Sequence, residues 1–123
     1  MILVDTSVWV EHLRAGDETL AALLNGGEVL VHPLVIGELA LGSFRHREAV
    51  LADLQDLPQV AVASNEEVLR LIDGQALFGR GIGYIDAHLL AAARLVPGAR
   101  LWTSDRPLQR VAAELGLAAS LPR

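Results

Sequence analysis

A chain of 123 residues, 52% hydrophobic and 20% charged, can close one core but not two, which excludes intrinsic disorder and leads us to read 1–123 as a single domain. The absence of cysteine removes disulfides, thiolate zinc sites, iron–sulfur clusters and cysteine nucleophiles, so any bound metal must be held by oxygen or imidazole. All ten positive charges are arginine and the net charge is −5, which denies a receiver-type phosphoacceptor its lysine and argues against strong non-specific nucleic-acid binding.

The first element expected is a short buried strand over residues 1–4, ending at Asp5. Helical spacing follows over 7–15 and 18–25, closed by Gly26-Gly27. A second strand is expected over 28–32, with Pro33 opening a helix over 33–43. Another helix over 47–57 stops at Pro58, and a strand over 60–64 leads into a helix over 66–78. The glycine-rich loop 79–83 feeds a helix over 84–96 that is apolar nearly all round and therefore buried. Pro97-Gly98 separates it from a strand over 99–104; a helix over 107–115 and a weak strand over 117–121 complete the chain. Alternation of this kind predicts an α/β protein, a three-layer α/β/α sandwich around a parallel four- or five-stranded sheet. No repeat, linker or low-complexity tract interrupts it. No apolar run approaches the roughly 18–20 residues of a membrane span, and the segment 1–4 meets Asp5 before a signal-peptide core can form. The expectation is a soluble, cytoplasmic protein with no membrane contact.

Ligands of open α/β sheets bind beyond the carboxyl ends of the strands, so acids there carry more weight than acids elsewhere. Asp5 ends the first strand, Asp105 follows the strand over 99–104, Asp86 opens the buried helix, and Glu38 lies within about two turns of the second strand's end. Four acids from four segments can thus converge at one sheet edge. Two carboxylates about 5 Å apart at an effective dielectric near 20 repel by roughly 3 kcal/mol, about two pKa units, so four cannot share a pocket as bare anions. Either some stay protonated or a divalent cation holds them. Hard oxygen donors favour Mg²⁺ or Mn²⁺, and all-carboxylate sites of that kind are typical of phosphoryl-transfer chemistry. Each acid alone also reads as a helix cap or an exposed helix residue; the combination is what suggests a site.

Other polar residues carry less. Residues 79–123 hold six of the ten arginines and three of the fifteen acids, a basic flank on which a polyanion could dock. Arg80, between two glycines, and Arg106 could contact phosphate, although both also read as solvated side chains. The four histidines offer neither a metal-binding helix pair nor a serine-based triad, and 4% aromatic content gives no interleaved stacking platform.

The segments Val4-Asp5-Thr6-Ser7, Ile36-Gly37-Glu38-Leu39, Gly83-Tyr84-Ile85-Asp86-Ala87-His88-Leu89-Leu90-Ala91-Ala92-Ala93 and Leu101-Trp102-Thr103-Ser104-Asp105 together resemble the PIN-domain ribonucleases, most closely the VapC toxins of type II toxin–antitoxin pairs. The resemblance runs in order along the chain, and the stretch around Asp86 is its most specific part. It implies an endoribonuclease toxin that uses Mg²⁺ or Mn²⁺ to activate water against an RNA phosphodiester, a cognate VapB-like antitoxin that blocks the site, and a homodimer. Carried over by position, it makes Asp5 and Asp86 the principal metal ligands, and Glu38 and Asp105 the further acids. Thr103 and Ser7 become supporting hydroxyls, with Arg80 and Arg106 on the substrate. Some members carry one more acid two positions after the last aspartate, where this chain has Pro107, which speaks against tight binding of a second metal without RNA.

Two other functions compete. One is a non-catalytic PIN-like module acting through a protein or RNA partner, which has no reason to bind Mn²⁺ through Asp5. The other is a phosphotransferase using Asp5 as nucleophile, which would pass through an aspartyl-phosphate and usually has a second aspartate where Ser7 stands.

Overall fold

A computed structural model describes residues 1–121, so the last two residues of the expected domain, 122 and 123, lie outside the described residues. The central strand β1 (Ile2–Val4) is buried because both of its faces are covered: Leu3 and Val4 have no exposed surface. Strands β2 (Val29–Leu30) and β3 (Arg100–Trp102) flank it in parallel, giving the order β2-β1-β3. Leu3 stands opposite Leu30 on one side and Leu101 on the other, while Val4 stands opposite Trp102.

The described sheet therefore has three strands, which corrects the expectation of four or five. The two edges carry only single parallel bridges, Val31 with Gln59 just before the segment 60–64, and Leu101 with Ala118 within 117–121. On the first edge, Val31 donates to the Pro58 carbonyl at 2.9 Å and Val60 donates back to Val31 at 3.0 Å. The chain then leaves the sheet, because Ser64 is already the cap of the next helix. Pairing ends where capping begins.

Seven helices surround the sheet among the described residues: α1 (Thr6–Ala15), α2 (Glu18–Asn25), α3 (Pro33–Ala40), α4 (Arg47–Asp56), α5 (Asn65–Gly74), α6 (Tyr84–Leu95) and α7 (Arg106–Glu114). Right-handed crossovers put α1 to α4 on one face and α5 to α7 on the other. The packing of α1 on α3, α3 on α4, α5 on α6 and α6 on β3 agrees with that division. Two helices are shorter than their periodicity suggested. The segment 33–43 stops at Ala40, where Gly42 donates to the Leu39 carbonyl, and 66–78 stops at Gly74, where Ala76 takes φ +51° so that Leu77 can turn inward and bury. The buried character of α6 holds: Ala87 through Ala93 are all buried. The strand order switches at β1, with β2 laid down on one side of it and β3 on the other, so the carboxyl ends of β1 and β3 bound the crevice in which such sheets bind ligands.

Candidate active site

Asp5 is the first residue beyond β1, and its N–H donates to the Trp102 carbonyl of β3 at 2.9 Å. Because Val4 pairs with Trp102, the next residues along, Asp5 and Thr103, come side by side on the same face. Their side chains are both buried and bond directly. Asp5 Oδ2 accepts from Thr103 Oγ1 and from Ser7 Oγ, each at 2.8 Å, while Oδ1 accepts the Thr6 N–H at 2.8 Å and so caps α1. Each hydroxyl is oriented in turn by a backbone donor at 3.0 Å, Ser104 N–H to Ser7 and Asp105 N–H to Thr103. The first carboxylate is clamped from three directions.

The other acids arrive by the same local chemistry. Asp105 caps α7, with Oδ2 accepting the Leu108 N–H at 3.0 Å. Asp86 turns back over the first turn of α6 to accept the Gly83 N–H at 2.8 Å. Glu38 sits farther along α3, and Thr6 Oγ1 donates to its Oε1 at 2.6 Å, tying the start of α1 to α3. The cap readings and the cluster reading are thus compatible. The N-termini of α1, α6 and α7 bring Asp5, Asp86 and Asp105 to one edge, and their partial positive charge offsets part of the mutual repulsion.

Electrostatics records the convergence. The Asp86 carboxyl is held above its usual range first by burial, against which the Gly83 N–H works, and then by the charges of Asp5, Asp105 and Glu38. Among the described residues the ion pair formed is Arg80 with Glu114, so no guanidinium answers these four acids. Such a donor set, all oxygen, anionic and without a protein cation, fits a hard divalent ion. As the side chains stand, no group of three or more acids and histidines among the described residues is arranged to hold an ion. Their oxygens are instead committed to the helix N-termini and to the Thr6 hydroxyl.

The structure brings together Asp5, Glu38, Asp86, Asp105, Ser7 and Thr103, but not Arg80. The Arg80 guanidinium bonds both Glu114 oxygens at 2.9 Å at the far end of α7, although Gly81 beside it folds over Pro107 at the near end. Arg106 is exposed at the first position of α7, next to Asp105, and forms no ion pair among the described residues. Three residues escaped the sequence reading. Thr6 reaches Glu38 on another helix, which no local pattern announces. His32 caps α3 through Nδ1, which accepts the Leu34 N–H at 3.0 Å, and its ring lies 6.0 Å from that of buried His88. The only signals were a histidine just before Pro33 and a histidine inside an otherwise apolar helix.

A PIN-domain family model matches residues 2–114. Two curated relatives, each named Ribonuclease VapC32, from Mycobacterium tuberculosis strains CDC 1551 / Oshkosh and ATCC 25618 / H37Rv, are each 55% identical over 118 residues, covering 96% of this chain and 95% of the relative. The match spans every element that carries a site residue, and on this ground the chain belongs to the PIN-domain family, within its VapC group.

Proposed function

We propose that this protein is the endoribonuclease toxin of a type II toxin–antitoxin pair, cutting RNA with Mg²⁺ or Mn²⁺ at the Asp5, Glu38, Asp86 and Asp105 cluster. The observation that carries the reading is the convergence of Asp5, Glu38 and Asp105 on Asp86, with no guanidinium paired to any of the four among the described residues. The name borne by the 55% identical relatives, Ribonuclease VapC32, supports it. When bound, the divalent ion supplies an activated water and offsets charge developing on the phosphate oxygens.

The chain's own residues supply the rest. Asp5 and Asp86 are the principal ligands, with Glu38 and Asp105 completing the set directly or through water. Ser7 and Thr103 fix the Asp5 carboxylate so that little reorganisation remains when the cation arrives. Arg106 lies beside the last acid and offers a guanidinium to the RNA backbone; Arg80 does so only on releasing Glu114. The partners of this reading are a homodimeric copy and a VapB-like antitoxin. For the antitoxin, a groove of about 340 Å³ between α1 and α3, lined by Val10, Leu13, Leu39 and Phe44, runs to Glu38. It offers a polypeptide an apolar track that ends at the acids.

The test is Asp5→Asn and Asp86→Asn, each assayed for Mn²⁺-supported RNA cleavage and for heat of Mn²⁺ binding, with circular dichroism as the fold control. Both variants should lose cleavage and binding heat with an unchanged spectrum. Cleavage at the wild-type rate in both overturns the proposal, and Mn²⁺ heat absent from the wild type favours the binding module.

A further inference from the structure

Of the five aromatic residues, both tryptophans are buried at 3% and 6% exposure, whereas Tyr84 is 46% exposed in the first turn of α6, two positions before Asp86. Its pose is fixed from two sides. The hydroxyl donates to Asn65 Oδ1 at the start of α5, and the ring meets His88 at 4.7 Å and 88°, with His88 backed by the buried ring of His32. An exposed tyrosine held only by solvent would sample several rotamers; one tied to a neighbouring helix and braced by the His88 ring loses little entropy when something covers it. The first residues of α5 and α6 meet here, at the edge where the acids gather. Side chains of one helical turn fan over a diameter of about 10–12 Å, so Tyr84 and Asp86 lie within the span of a nucleotide or two.

We infer that Tyr84 is a stacking platform for one base of single-stranded RNA flanking the bond to be cut. The inference rests on the ribonuclease reading. Every base has a π-face, so stacking there is tolerant of sequence, and it selects unpaired RNA because a base held in a duplex has no free face to offer. This also revises the view that the chain's few aromatics leave it no stacking surface: a single placed ring suffices for one base.

The test compares two probes of equal charge without divalent ion, so that no strand is cut: an oligoadenylate about eight nucleotides long and an abasic ribose-phosphate strand of the same length. The wild type should prefer the first, and Tyr84→Leu should reduce that preference by about 5- to 150-fold while leaving the abasic affinity unchanged. Tyr84→Phe, which keeps the ring and loses the Asn65 bond, should retain it. Phe78→Leu, at a ring 69% exposed on the far side of the glycine loop, should match the wild type. A preference unchanged in Tyr84→Leu, an equal loss for both probes, or a loss as large in Tyr84→Phe overturns the inference. Failure of the wild type to cleave RNA with Mn²⁺ overturns the ribonuclease reading instead.

Discussion

Thr103 shows how much of this site depends on uncharged residues. It is 6% exposed, donates to Asp5 Oδ2 at 2.8 Å and accepts the Asp105 N–H at 3.0 Å, so one hydroxyl links the residues that cap α1 and α7. Thr103→Val keeps the shape and removes the link, leaving the Asp105 N–H without its acceptor and Asp5 with one fewer donor. The expected cost is about 1–3 kcal/mol of stability, as for a buried hydrogen bond to a charged group. Because groups that orient metal ligands typically govern affinity, Mn²⁺ binding should weaken by about 10–100-fold. Denaturant unfolding and calorimetry measure the two effects. A stability loss with unchanged Mn²⁺ affinity would reduce Thr103 to a packing residue.

At the scale of elements, what the sequence made legible followed its local chemistry. Asp5, Asp86 and Asp105 could be placed at one edge because Asp5 and Asp105 stand where a strand meets a helix start and Asp86 lies in the first turn of the helix fed by the glycine loop, and capping is a local rule. Thr103 is named by the family resemblance, and its place beside Asp5 follows from the pairing of Val4 with Trp102. The outer strands could not be judged that way: the segments 60–64 and 117–121 have strand-like composition, but each edge carries a single bridge, and on the first edge the chain is drawn away where Ser64 caps α5. Arg80 was placed by loop flexibility alone, and its partner Glu114 is 34 residues away. The His32 cap of α3 was equally hidden, and it makes this element sensitive to acid. Burial, assisted by His88, pushes the His32 pKa from 6.5 down to about 4. The folded chain keeps the ring neutral while the unfolded chain protonates it below 6.5, so its contribution is complete above 6.5 and is lost as pH falls from there through about 4. His32→Asn keeps an acceptor for the Leu34 N–H and removes the titration. Plotted against pH, its unfolding free energy should fall less steeply than the wild type's across that window; parallel curves would refute the assignment.

For the molecule as a whole, folding itself assembles the repulsion. In the unfolded chain Asp5, Glu38, Asp86 and Asp105 are separated by 33, 48 and 19 residues and scarcely interact, whereas in the native state three of them act on Asp86. A divalent cation that needs the cluster therefore binds the folded chain alone, and by mass action it stabilises by about 2.7 kcal/mol at a hundred times its Kd. For a domain of this size that corresponds to a rise in Tm on the order of 10 °C. Screening by salt acts differently, since it weakens repulsion between all exposed charges and needs no particular acid. Thermal unfolding with increasing Mn²⁺, against NaCl of equal ionic strength, should show a saturating rise with Mn²⁺ alone. The double variant Asp5→Asn, Asp86→Asn should lose that rise. An equal Mn²⁺ rise in that variant would mean that the stabilising ion sits elsewhere, and the acids would then have to be explained by capping alone.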